Sequence, residues 1–182
     1  MVPAESEIVF EGFIDTDYLE PEAPFAESHG HVALEDFNTA MDVTAITMRK
    51  NAVFTSIISQ LTPSESSVIK RVAYEPLYMS HLQDGLGIKG VKKVYLHENL
   101  TNLRRVLFIQ FERGVPTTEV WRALYGASSL AAAIGKYVVA VNEDIDPSNG
   151  DAVFWALAYR ANPALDAQIL KHRVPYGPRD KR

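Results

Sequence analysis

Glu22 and Glu27 are the residues of this chain whose type and spacing best suit proton chemistry. They stand five positions apart in "EAPFAE", around Pro24 and Phe25, with His29 and His31 just behind. Residues five apart leave a helix in different directions and Pro24 breaks the turn, so the stretch reads as a loop or extended turn. Burial beside an apolar ring raises a glutamate's pKa, and a second carboxylate raises one member of a pair further, which prepares a proton donor near neutral pH. The bland alternative is a solvated acidic loop, because Asp15, Asp17 and Glu20 lie just upstream and acid-rich loops are common. A glycosidase-like carboxylate pair is a further alternative, and it turns on a separation that only the fold sets.

Other candidates also have two readings. "HGH" could supply metal ligands or two structural histidines. In "NEDIDPSNGDA", Glu143, Asp144, Asp146 and Asp151 invite a metal. Their spacing does not fit a calcium loop, however, and Asp146 before Pro147 reads equally as a helix N-cap. The small, hydroxylated run "GASSLAAAIGK", which includes Leu130, suits either a ligand close to the backbone or close helix packing. Tyr74, Tyr78 and Met79, at helical spacing, read as core rather than as a cofactor box.

The elements that must position these groups fall into two parts. "SEIVFEGFID" alternates Ile8, Phe10 and, after a Gly12 that could seat a bulge, Phe13, so it reads as a strand. With "HVALEDF" and "VTAITMRK" running into "AVFTSII", it makes a sheet too small to be comfortable alone. Residues 1–61 are therefore expected to be part of a β domain. At "TPSESSVIKRVAYEPLYMSHL" the period becomes helical, with Thr62 as N-cap, Pro63 in the first turn, Glu65 completing a capping box, and Val68, Val72 and Leu82 near one face. Pro76 is expected to kink or split this helix. Strand-like "VKKVYLH" and "RRVLFIQFER", helical "TTEVWRALYG", the apolar strand "KYVVAV" and helical "DPSNGDAVFWALAYR" follow. That alternation predicts an α/β domain over 62–182 with some parallel pairing, its ligands at the carboxyl ends of the strands.

Composition narrows the function classes. The chain has 182 residues, 47% apolar and 23% charged, with a net charge of -5, which is ordinary for a globular protein. Its basic residues are scattered except for the terminal "RDKR", so it lacks a cationic footprint for nucleic acid. With no cysteine, disulfides, thiolate nucleophiles and cysteine-bound metals are excluded. No stretch reaches the roughly 18 apolar residues of a membrane span, and no secretion signal opens the chain. The expectation is a cytoplasmic protein, in which "NLT" at Asn99 is a chance match to a glycosylation acceptor.

Several separated blocks together carry a more specific signal. "VPAESEIVFEGFID", "PEAPFAESHGH", "ITMRKNAVFTSI", "TPSE", "NEDIDP" and "DAVFWALAYRANP", in this order, resemble the UbiD family of reversible decarboxylases across nearly the whole chain. The resemblance implies non-oxidative loss or gain of carbon dioxide on aromatic or α,β-unsaturated acids, with prenylated flavin mononucleotide as cofactor. It implies an α+β, α/β fold: part of a split β-barrel that holds the flavin, followed by a carboxy-terminal α/β domain with a mixed sheet. By the same resemblance Glu27 is the acid/base at the substrate carbon, and Glu22 belongs to a hydrogen-bonded network that includes an arginine. Phe25, His29, Ile58 and Ser59 would line the substrate and cofactor pocket, with Leu130 approaching from the α/β domain.

Two departures qualify the match. Ala23 and Ala26 stand where the family has glycines, so this loop is expected to tolerate ordinary backbone angles there, with a methyl that could crowd the pocket. The sequence also matches only the later part of a family member. The segment that carries the network arginine, the divalent metal and potassium ligands and most flavin-phosphate contacts has no counterpart here, and Arg49 cannot be assumed to replace that arginine. The expectation is thus an incomplete carboxy-lyase, either one subunit of a split enzyme or a truncated product, completed by a complementary UbiD-type amino-terminal chain in a homo-oligomeric assembly. The competing expectations are an assembly subunit that keeps the fold without the chemistry and, more weakly, a flavin-free, carboxylate-dependent hydrolase.

Overall fold

The structure is a computed structural model that describes residues 2–22, 24, 36–58, 63–97, 105–131 and 135–171. Its first part is built from hairpin-like ribbons. β1 (Ile8–Ile14) pairs antiparallel with β4 (Met41–Met48), and the three-residue strands β2 (Glu20–Glu22) and β3 (Asp36–Asn38) pair with each other. The bulge expected near Gly12 is present, but the extra residue is on the other strand. Glu11 lies opposite Ala45 and Gly12 opposite Val43, so Thr44 is left out of the register, and its hydroxyl donates to the Glu11 carbonyl at 3.2 Å. Gly12 is required there, because a Cβ would fall 2.2 Å from the Asp42 carbonyl oxygen.

This register decides which side chains share a face. Directly opposed residues lie on one side and alternate residues return to it. Ile8, Phe10 and Ile14 therefore line up with Met41, Val43, Ile46 and Met48, while Phe13 falls opposite Asp42 on the other side rather than in phase with Phe10. The apolar face is open, with Phe10 54% and Met48 63% exposed. At the ribbon's end, Arg49 is clamped by Glu5 and Glu7, and Glu7 also accepts the Val53 backbone N–H at 3.1 Å.

The second part is organised on β6 (Val106–Phe111). It pairs antiparallel with β5 (Val91–Leu96) and parallel with β7 (Tyr137–Val141), a mixed three-stranded sheet in the order β5-β6-β7. Leu107, Ile109 and Phe111 of β6 pack with Val94, Leu96, Tyr78, Leu82, Ala123 and Ala127 beneath α1 (Glu65–Ser80) and α2 (Thr117–Leu130). Phe108 packs on the other side with Val141, Ile145 and Val153 of α3 (Gly150–Arg160). A short α4 (Pro163–Asp166) follows. Tyr78 is fully buried and Tyr74 and Met79 pack beside it, which bears out their reading as core.

Three local expectations need correction. α1 is capped by Ser64, not by Thr62, which lies outside the described residues; Ser64 and Ser67 exchange side-chain and backbone hydrogen bonds. Pro76 does not split α1, which runs from Glu65 to Ser80 and then loosens into a π-helical turn, His81–Gly85. The expected apolar face is also divided: Leu82 is buried, but Val72 is 69% exposed, because the packed side of α1 carries Ser67, Tyr74 and Tyr78.

The acidic loop before α3 folds through local backbone bonds. Asn149, not Asp146, is the N-cap, accepting from the Ala152 N–H at 3.2 Å. Asp146 forms a turn one step earlier, accepting from the backbone N–H and hydroxyl of Ser148 at 3.0 and 2.7 Å. These Ser148 bonds, helped by Lys93, hold the Asp146 carboxyl down at about 2. At Gly126 close packing is realised, since a Cβ would lie 2.3 Å from Leu86 Cδ1.

Two stability predictions follow from these caps and turns. Replacing Ser64→Ala should cost about 1 kcal/mol in a urea titration, and Ser64→Gly only a few tenths. A carboxyl whose pKa is lowered by folding stabilises above its unfolded value and loses that contribution as pH falls. The thermal midpoint of Asp146→Ala should lie below that of the parent at neutral pH, and the gap should close as pH falls from about 3.8 to about 2. A gap that is constant across that window would show that the turn does not depend on the charge.

Candidate functional site

Glu22 ends β2, and the short ladder to β3 fixes what it meets. Glu20 lies opposite Asn38, Pro21 opposite Phe37 and Glu22 opposite Asp36. Glu20, Glu22 and Asn38 therefore share one side of the ribbon, with Asn38 on the diagonal to Glu22, which is within side-chain reach. The Asn38 Nδ2–H donates to Glu22 Oε2. Pro21 is tolerated because a two-stranded ribbon has an edge on which no N–H is needed. Ala23, Phe25, Ala26, Glu27, His29, His31 and Ser59 lie outside the described residues.

Ile58 is described and is 69% exposed. Its backbone is held at both polar groups by Glu65: the Ile58 N–H donates to Glu65 Oε2 at 2.7 Å, and the Ile58 carbonyl accepts the Glu65 N–H at 3.2 Å. The stretch from Val53 to Ile58 is thus tied at one end to Glu7 and at the other to Glu65, and it presents Phe54, Ile57 and Ile58 outward. Leu130, at the end of α2, is half-buried and packs against the core on the α1 and α2 side of the sheet. Sequence reasoning missed Asn38 and gave Glu65 only a capping role; the strand register that places Asn38 is the one signal that could have found it.

Two cavities occupy the second part. One of about 420 Å³ is lined by Arg113, Gly114, Asn142, Glu143, Asp144 and Arg160, at the carboxyl ends of the parallel strands β6 and β7. Arg160 donates to both Asp144 oxygens at 2.9 and 2.7 Å, a pairing that lowers the aspartate and raises the arginine. The loop above is anchored by the buried Gln110 amide, which donates to the Glu143 and Ile145 carbonyls, both at 2.9 Å. The other, of about 490 Å³, is lined by His97, Ser148, Asn149, Gly150, Asp151 and Phe154. His97 tilts against Phe108 at 5.6 Å, and burial lowers its pKa. Neither cavity is lined by Glu22, Asn38 or Ile58. Among the described residues, no three His, Asp or Glu side chains gather as a metal site, and no helix is long and apolar enough to cross a membrane.

Comparison with known proteins places this geometry. Residues 1–61 match the 3-octaprenyl-4-hydroxybenzoate carboxy-lyase Rift-related domain, and residues 67–180 match the carboxy-terminal domain of the same carboxy-lyase. An evolved dimeric form of the UbiD-class enzyme HmfF from Pelotomaculum thermopropionicum, in complex with prFMN, superposes over 100% of this chain with a TM-score of 0.77 and 27% identity. The same fold is found in vanillic acid decarboxylase of Sedimentibacter hydroxybenzoicus, in open form, over 94% of this chain (TM-score 0.78, 22% identity). It recurs in apo 3,4-dihydroxybenzoic acid decarboxylase of Klebsiella pneumoniae, over 87% (TM-score 0.64, 21% identity). The chain spans only 44%, 36% and 34% of those three proteins. With family matches over both of its parts, the chain belongs to the UbiD family of carboxy-lyases.

Proposed function

We propose that this chain is the carboxy-terminal part of a UbiD-type carboxy-lyase, acting on an aromatic or α,β-unsaturated carboxylic acid in the cytoplasm. In this reading residues 1–61 belong to a split, flavin-holding β-barrel and 62–182 form a separate α/β domain. A complementary UbiD-type amino-terminal chain completes the barrel. The observation that carries the proposal is the open apolar face of the β1–β4 ribbon, since a sheet face lined by Ile8, Phe10, Ile14, Met41, Val43, Ile46 and Met48 is stable in water only when covered. The chain spans 44% or less of the three relatives named above, and the occupant proposed for this face is the remainder of such an enzyme.

The residues present fit one end of a flavin and not the other. An apolar sheet face suits a planar ring, and Phe25, Ile58, Ser59 and Leu130 would line the pocket beside it. Arg49 is committed to Glu5 and Glu7, so the phosphate, together with any divalent metal or potassium, is held by the complementary chain. Prenylated FMN, when bound, supplies the electron-accepting centre that lets the carbon–carboxylate bond break. Glu27 then gives its proton to the carbon that has lost carbon dioxide, forming the C–H bond, and takes a proton back from solvent; the reverse reaction runs through the same group. Glu22, an acceptor from Asn38, keeps the second acid of the pair in place.

A non-catalytic assembly role is the second reading, favoured by the outer face of α3, where Phe154, Trp155, Leu157 and Tyr159 are all exposed. In the catalytic reading the same face receives a second copy, giving a homo-oligomer. The two readings separate in the completed assembly, assayed for carbon dioxide release from a panel of aromatic and α,β-unsaturated acids. Glu27→Gln should lower turnover by about two to four orders of magnitude with flavin retained. Glu22→Gln should also lose turnover, and Glu20→Gln should not. Equal behaviour of all three variants, or full turnover with Glu27→Gln, would overturn the catalytic assignment. Equilibrium dialysis should show weak prenylated FMN binding by this chain alone and tight binding by the assembly; tight binding by the chain alone would move the phosphate site into it.

A further inference from the structure

We infer that Asn38 is a positioning residue for the acid pair, acting through Glu22. The inference deepens the catalytic reading above and rests on it. Its basis is local. Asn38 is the last residue of β3, Glu22 the last of β2, and the antiparallel register sets them on one side of the ribbon as diagonal neighbours. In that place the Asn38 amide can reach either Glu20 or Glu22, and it donates to Glu22 Oε2. The choice matters chemically. The bond made to Glu22 fixes one carboxyl oxygen of that residue and leaves Glu20 without it.

The contact also fixes a rotamer. A glutamate on a two-stranded ribbon has three rotatable bonds and would otherwise sweep a wide arc, and ordering such a side chain costs free energy unless a partner holds it. Asn38 provides that partner from the adjacent strand, so the direction of Glu22 is tied to the β2–β3 ladder. Asparagine suits the position because it carries a donor without charge.

The test uses two readouts. In the completed assembly with this chain labelled with 15N-asparagine, the Asn38 side-chain amide resonances should shift in Glu22→Gln and stay in place in Glu20→Gln; resonances indifferent to Glu22→Gln would overturn the inference whatever the activity. In the completed assembly, with an acid from the panel that is turned over, Asn38→Leu, which keeps the volume and removes the donor, should lower kcat about tenfold to a hundredfold with KM within about twofold. Asn38→Asp should do the same without loss of flavin, Asn38→Gln should recover part of the rate, and Asn38→Leu should add little to Glu22→Gln. An Asn38→Leu variant with parental kcat, or one that raises KM alone, would reduce Asn38 to a strand residue while leaving the acid-pair reading intact. A silent Glu22→Gln would instead remove that reading, and the inference with it.

Discussion

β6 is buried on both faces, and the carboxy-terminal unit is arranged around that constraint. A strand reading Leu107, Phe108, Ile109, Gln110, Phe111 has no side to offer to water, so helices must cover it above and below. α1 and α2 take one face and α3 the other. Its one polar residue, Gln110, is tolerated because both of its amide bonds go to carbonyls of the loop leading into α3. That strand therefore fixes the sheet and the acidic loop at its carboxyl end together. Burying Leu107 or Ile109 contributes about 1.5–3 kcal/mol each.

The β1–β4 ribbon obeys the same physics with the opposite outcome. It has one apolar face, set by the bulge at Thr44, and that face is open. Its remaining ties, the Arg49 clamp and the Thr44 hydroxyl, are exposed and worth little each. A fold in which one part satisfies its own core and the other presents an uncovered sheet face fits a chain that supplies part of a catalytic module. The two parts meet at Glu65, which grips the backbone of Ile58 from the first turn of α1.

How much of this was legible in the sequence depends on how local the cause was. Period and composition located β1, β4, β5, β6, β7 and all three long helices, because apolar alternation and helical spacing are properties of the segments themselves. The cap of α1 slipped from Thr62 to Ser64 because four hydroxyl or acidic residues compete over that turn and only the buried Ser67 decides between them. Val72 looked like core because the sequence shows apolarity and not coverage. Phe13 was set on the wrong face because the extra residue of the bulge is on β4, so β1 keeps an unbroken alternation in which Phe13 is out of phase with Phe10. Glu22 drew attention through its neighbours in "EAPFAE", whereas its partner Asn38 lies 16 residues away and becomes visible only once β2 and β3 are paired.

The central claim is that the open face of β1–β4 is covered by a second chain that brings the flavin-phosphate site. Native mass spectrometry with a visible absorption spectrum, on the protein purified from its own host, tests it most directly. The account predicts this chain in a complex with a second, UbiD-type polypeptide and a modified flavin released on denaturation. A colourless, monodisperse monomer of this chain with a cooperative thermal transition would contradict it.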